Sequence, residues 1–227
     1  MNKDNPVETA GMVRGFALAC ALLTLGWLLV LGILMAGAGP LETAGDALAF
    51  VADAGTLYRL NYTLAAAITV AAMGLMSSLG WVLMRRWPLA VVIAGRFIPV
   101  YGALNLLVYL SQIHLVPVLA AGVEPGSPEA FVVVQLIQTW PSSMMALANG
   151  LAYGALAVPS ICFGMGLIHS RLAPAAGGLL GFSGAFCLGG LTGMLTANAF
   201  LALGTLVGGV LFLASAVVLG MRPLSGQ

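Results

Sequence analysis

The residues of this chain best placed to do chemistry are two stripes of amides and hydroxyls set in otherwise apolar sequence. In the stretch 89–119, Tyr101, Asn105, Tyr109 and Gln112 fall within about 80° of one another, because each helical residue turns about 100°. In the stretch 142–168, Ser142, Asn149, Tyr153 and Ser160 fall within about 40°. These groups are uncharged donors and acceptors, and in lipid each needs a partner. They either bond helix to helix or line a polar cavity for a small neutral or weakly anionic solute or a lipid headgroup. Arg96 and His114 are the ionisable residues within the apolar runs, and both point away from the first stripe. Intramembrane ionisable groups are costly and are read first as functional. Arg96 either extends to the headgroups of the inner leaflet or bonds interior carbonyls and an anionic ligand. His114 is expected at the interface. The candidate ligand-binding set is therefore Arg96, Tyr101, Asn105, Tyr109, Asn149, Tyr153 and Ser160. No catalytic residue, metal ligand or cofactor is assigned.

Enzyme chemistry finds little support. Gly181-Phe182-Ser183-Gly184 is similar to the serine loop of rhomboid-type intramembrane proteases. Those enzymes need a later histidine to activate the serine, and both His114 and His169 precede Ser183. No Asp or Glu lies within the long apolar runs. That argues against aspartyl proteolysis, proton coupling through a buried carboxylate and binding of hard metal ions. Cys20, Cys162 and Cys187 are far apart, with no CxxC pair, and read as packing residues. There is no P-loop or dinucleotide-binding fingerprint.

What must position the stripes is a membrane bundle. The chain has 227 residues, 61% hydrophobic and 7% charged, against roughly 25% charged in soluble domains. Its mean hydropathy is +1.06. The formal net charge is +1, so nucleic acid is not implied as a partner. A span needs roughly 20 apolar residues. The sequence predicts six, at about 15–38, 60–84, 89–119, 142–168, 175–196 and 199–221, in a single all-α transmembrane helical bundle over 1–227. The first run exceeds the roughly 7–15 apolar residues of a signal peptide and is read as a span. An alternative splits 129–168 into two short spans with a turn at Asn149-Gly150.

Charge sets the orientation. Lys3, Arg14, Arg85, Arg86, Arg171 and Arg222 fall at one set of span ends, with Asp4 and Glu8. Glu42, Asp46, Asp53, Glu124 and Glu129 fall at the other, with only Arg59. Because Lys and Arg collect on the cytoplasmic side, both termini are expected there. Two short amphipathic helices are predicted on the outer side. One covers 41–54, with Leu41, Ala44, Leu48 and Val51 on its apolar face. The other starts at Ser127-Pro128-Glu129, a cap, a first-turn proline and a first-turn acid, and runs to Trp140. It lies in the interface or dips part way in. Pro40 and Pro128, Asn61 and Asn149, and Arg85 and Arg171 share separations of 86–88 residues, either a parallel duplication or coincidence in a low-complexity sequence. Gly177, Gly181, Gly184, Gly189 and Gly193, continued by Gly204 and Gly208, predict close helix packing within the chain or across a homodimer. Pro159 is expected to loosen the fourth span beside Ser160.

Three short stretches carry a resemblance: Tyr58-Arg59-Leu60; Gly95-Arg96-Phe97 with Asn105-Leu106-Leu107; and Phe163-Gly164-Met165-Gly166 with Arg171 and Pro174. Together they resemble a group of small bacterial six-span membrane proteins known only as a domain of unknown function. The resemblance implies a six-span bundle with no established activity, and the expected location is the bacterial cytoplasmic (inner) membrane, as a multi-pass protein. The leading functional reading is a non-enzymatic bundle that binds or passes a small solute or lipid at the two stripes. One alternative is an accessory or structural subunit of a larger membrane complex or homo-oligomer. Another is an intramembrane enzyme acting near Arg96. Membrane lipids are the expected partners in each case. Topology is directly testable: reporters fused after Arg86, Arg171 and Gln227 should read cytoplasm and one at Gly126 the outside, and a cytoplasmic signal at Gly126 would reverse the assignment.

Overall fold

The computed structural model describes residues 6–39, 41–140, 143–222 and 224. The described residues are all-helical, without strands, and six helical stretches are long and apolar enough to cross a membrane. Helix α1 is Pro6–Gly37, α2 Ala44–Leu83 and α3 Pro88–Leu110. A π-helical turn, Ser111–Leu115, joins α3 to α4, Val116–Ala121. Then come α5 (Pro128–Val134), α6 (Met144–His169), α7 (Pro174–Leu195), α8 (Ala199–Ala202) and α9 (Gly204–Met221). The six predicted spans are all present. The first helix starts well before the expected residue 15, since an apolar helix propagates readily into a flanking polar turn without a breaker.

Several predicted boundaries are corrected. The outer helix expected at 41–54 is present: α2 is two helices in succession that meet at a kink, the first beginning at Ala44 and the second being the second span, which starts a few residues earlier than expected. At 40 residues α2 would measure about 60 Å if straight, twice the hydrocarbon thickness. Gly55, at φ 45° and ψ −110°, divides it at a conformation essentially restricted to glycine. Thr43 caps α2: its hydroxyl accepts from Asp46 N–H, and Asp46 Oδ2 accepts from Thr43 N–H at 2.8 Å. The helix expected to run from Ser127 to Trp140 has the predicted cap, Ala130 N–H to Ser127 Oγ at 3.2 Å, but it ends at Val134. The chain then turns through short-range backbone bonds, including Leu136 N–H to the Val133 carbonyl. The split of 129–168 into two spans does not occur: α6 runs unbroken through Asn149-Gly150, and on through Pro159.

The chain forms two compact units. One comprises Met1–Leu22, Ile68–Ala103 and Gly150–Gln227, and the other Leu23–Ala67 and Leu104–Asn149. The sequence places seven of the eight Lys and Arg residues in the first and five of the seven Asp and Glu residues in the second. We refer to them as the basic and acidic units.

Glycine sets the packing of the basic unit. A Cβ at Gly164 of α6 would lie 2.6 Å from both the Gly177 carbonyl oxygen and the Gly181 nitrogen of α7. At Gly204 of α9 it would lie 2.5 Å from the Phe186 carbonyl oxygen, and at Gly208 2.9 Å from that of Ser183. The obstacles are backbone, which cannot rotate aside. With little hydrophobic drive between helices in lipid, this closeness supplies the dispersion contact that holds them. Hydroxyls reinforce it: Ser183 donates to the Gly208 carbonyl at 2.8 Å and Ser215 to that of Ala176 at 3.0 Å. Of the predicted stripe, Gly177, Gly184, Gly193, Gly204 and Gly208 are used inside this chain, with Gly164 of α6 facing them, whereas a Cβ at Gly181 or Gly189 would meet open space. Cys20 and Cys187 are buried, and all three cysteines are free thiols.

The contrast with α1 is testable. Gly26 and Gly32 have open space around them. Gly164→Ala should destabilise the detergent-solubilised protein by about 1–3 kcal/mol through overpacking, whereas Gly26→Ala should be neutral or slightly stabilising. Thermal unfolding of the two variants checks this, and equal effects would remove backbone contact as the basis of the α6–α7 packing.

Candidate functional site

The polar residues of the acidic unit converge on three tyrosine–amide pairs. Tyr58 and Tyr62 lie four apart on α2 and so share a face. Tyr58 donates its hydroxyl to Gln112 Oε1 at 2.6 Å, and Tyr62 donates to Gln138 Oε1 at 2.9 Å. On α3, Tyr109 donates to Asn149 Oδ1 of α6 at 3.1 Å. The rings stack as a ladder: Phe50 to Tyr58 at 5.9 Å edge-on, Tyr58 to Tyr62 at 4.9 Å, Tyr62 to Tyr109 at 6.0 Å. Offset and edge-on ring pairs contribute beyond their buried area.

Gln112 is the centre of this network. It is wholly buried, and every hydrogen-bonding position of its amide is filled. Oε1 accepts from the Tyr58 hydroxyl and from Gln138 N–H at 3.1 Å. Nε2 donates to the Leu136 carbonyl at 2.8 Å and to Ser111 Oγ at 3.1 Å. The partners fix the amide orientation, because a carbonyl must face Nε2 and an N–H must face Oε1. Gln112 therefore pairs with the non-helical backbone after α5 as a strand would. The π-helical turn lies just where this occurs. One extra residue in the turn rotates α4 about the helix axis, with Val116 N–H reaching back to Ser111 O.

Asn105 differs from Gln112, as do Trp27 Nε1 and Thr139 Oγ1 of the same unit, which are buried without a partner. Asn105 too is wholly buried on α3, yet neither its Oδ1 nor its Nδ2 has a hydrogen-bond partner. Asn61, in the same unit and on the same turn of α2 as Tyr62, has a buried Oδ1 without a partner. A half-open cleft of about 400 Å³ also belongs to this unit. Ile33 and Leu34 of α1 line it with Phe50 and Leu57 of α2, and Asp46 and Asp53 also contribute.

The remaining predicted site residues sit in the basic unit, with the exception of His114. Tyr101 is buried, and its ring lies 6.4 Å from that of Tyr153, which is half-buried. Ser160 is buried, with an unpartnered Oγ. Arg96 is exposed, on the opposite side of α3 from buried Val91, Ala94, Ile98 and Tyr101. It has no hydrogen bond or ion pair among the described residues. His114 is exposed within the π-helical turn. Ser142 lies outside the described residues. Ser183 has its hydroxyl bonded to a backbone carbonyl, an arrangement that packs helices. Among the described residues no three His, Cys, Asp or Glu side chains cluster as a metal site would require.

The stripe on the third span is thus real, but its members do different things. Gln112 and Tyr109 are engaged by protein groups, while Asn105 is not. Sequence reading missed Tyr58, Tyr62 and Gln138. The i, i+4 spacing of Tyr58 and Tyr62 was the available signal. Gln138 gave none, since it lies in a segment whose periodicity reads as helix. Compared with protein-family models, curated proteins and solved structures, the chain matches none.

The network makes a quantitative prediction. Gln112→Leu takes this partner from the buried Tyr58 hydroxyl and from the part-buried Leu136 carbonyl and Gln138 N–H, at up to about 1–3 kcal/mol each. It should cost about 3 kcal/mol or more, against about 1 kcal/mol for Tyr58→Phe, which removes one donor of two at Oε1. Denaturant unfolding in micelles measures both. A Gln112→Leu cost no larger than that of Tyr58→Phe would show that Gln112 does not hold the segment.

Proposed function

We propose that this integral membrane protein binds a small uncharged molecule bearing both a hydrogen-bond donor and an acceptor, and that Asn105 is the group that recognises it. Asn105 carries the reading. A primary amide offers two donors and two acceptor sites, and leaving them unmet in a buried place costs roughly 1–3 kcal/mol per group. Buried polar groups are almost always paired, so an exception calls for a physical cause. A ligand that supplies the missing partners is such a cause. The neighbouring stripe members Tyr109 and Gln112 are neutral and already bonded, which supports an uncharged ligand, since a full charge would find no counter-ion in the stripe. The split of basic and acidic residues supports a cytoplasmic location for both termini. The short motifs around Tyr58, Arg96 and Phe163 support kinship with the small bacterial six-span proteins.

Asn105→Leu separates this reading from a structural one. Leucine has nearly the same shape and no polar atoms. If Asn105 awaits a ligand, native mass spectrometry should find a small molecule retained by wild type and lost from the variant. Its ligand-free form should be more stable than wild type by about 1–3 kcal/mol. A variant that is less stable, with the same bound molecules as wild type, would return Asn105 to a packing role.

A further inference from the structure

We infer that Arg96 and the exposed face of α3 around it form a binding site for an anionic phospholipid of the cytoplasmic leaflet, separate from the Asn105 site. The face is aliphatic and aromatic apart from that one charge. Val92 is 51% exposed, Ile93 44%, Phe97 36% and Val100 46%, and these residues surround Arg96 at i−4, i−3, i+1 and i+4. The opposite side of the helix is packed into protein. An exposed apolar stripe of this kind on a membrane-spanning helix is a surface for acyl chains.

The guanidinium supplies the rest. Other basic side chains of the same unit are tied to backbone: Arg14 Nε donates to the Gly220 carbonyl at 3.1 Å, and Arg86 Nη1 to the Ser170 carbonyl at 3.1 Å. Arg96 has no partner among the described residues for any of its five donors. The acids of the basic unit are Asp4 and Glu8, so the unit carries a strong positive excess that draws anions. Arg96 lies about 12 Å along the helix from Pro88. Side chains on a helix lean toward its N-terminus. At the start of α3 stands Arg85-Arg86-Trp87, the basic turn that charge asymmetry assigns to the cytoplasmic side. Arg96 therefore leans toward the headgroups. Its planar fork matches two phosphate oxygens at once, which a lysine ammonium does not. A phospholipid places phosphate and acyl chain in the same order along the helix, with phosphate toward Arg85 and chain toward Val100.

The test uses the full chain in detergent micelles, titrated with phosphatidylglycerol or phosphatidylcholine, and reads lipid retention by native mass spectrometry together with the melting temperature. Wild type should retain phosphatidylglycerol and be stabilised by it, with no comparable response to phosphatidylcholine or to inorganic phosphate. Arg96→Gln should weaken phosphatidylglycerol binding by about tenfold, the scale of one lost charge-assisted contact. Arg96→Lys should fall between the two. Arg59→Gln, which removes the exposed arginine of the acidic unit, should match wild type. Asn105→Leu should also keep the phosphatidylglycerol response, which makes the two sites distinguishable. Equal retention in wild type and Arg96→Gln overturns the inference. So does a loss in Arg59→Gln as large as that in Arg96→Gln, or an equal effect of inorganic phosphate.

Discussion

Gln112 solves the one problem that lipid makes unavoidable, the satisfaction of backbone that is not helical. After α5 the chain turns irregularly from Gln135 to Trp140, leaving carbonyls and N–H groups outside any helical ladder. Within a membrane protein such backbone is tolerated where protein covers it and supplies partners. The Gln112 side chain bonds the Leu136 carbonyl and the Gln138 N–H together, and Tyr58 completes its acceptor. The rest of the acidic unit is organised around this contact. Tyr62 reaches the Gln138 side chain, and the aromatic ladder from Phe50 to Tyr109 packs around the pair. Ile137, between the two bonded residues, is wholly buried.

The two units reach stability by different means. In the acidic unit, bulky tyrosines and amides hold helices through directional bonds. In the basic unit, glycines bring α6, α7 and α9 to backbone contact, and serines bond across the gap. Both are answers to the same solvent. Lipid tails are as apolar as leucine, so leucine surface alone gives helices little reason to associate. The exposed leucines, valines and phenylalanines of α1, α3 and α9 are accordingly the expected surface of a membrane protein.

Buried polar groups divide by whether they are paired, and that division separates scaffold from candidate site. Gln112, Tyr109 and Asn149 have protein partners and behave as interhelical fasteners. Asn105 and Ser160 are equally removed from solvent and lack them. Arg96 belongs to neither group, since it faces outward.

Sequence alone determined the class of this protein and its six spans, because hydrophobic run length is set by bilayer thickness and needs no partner to be read. It also determined the cap at Ser127 and the polar stripe on the third span, both of which depend on neighbours along one helix. Tertiary structure decided what depends on contacts between helices. The end of α5 at Val134 is held by an amide more than twenty residues earlier, so local propensity could not reveal it. The π-helical turn and the kink at Gly55 adjust helices to their neighbours, and glycine in a helix has no single meaning until its surroundings are known. Periodicity placed Asn105 and Gln112 on the same stripe. Only packing distinguished the amide with every bond filled from the amide with none.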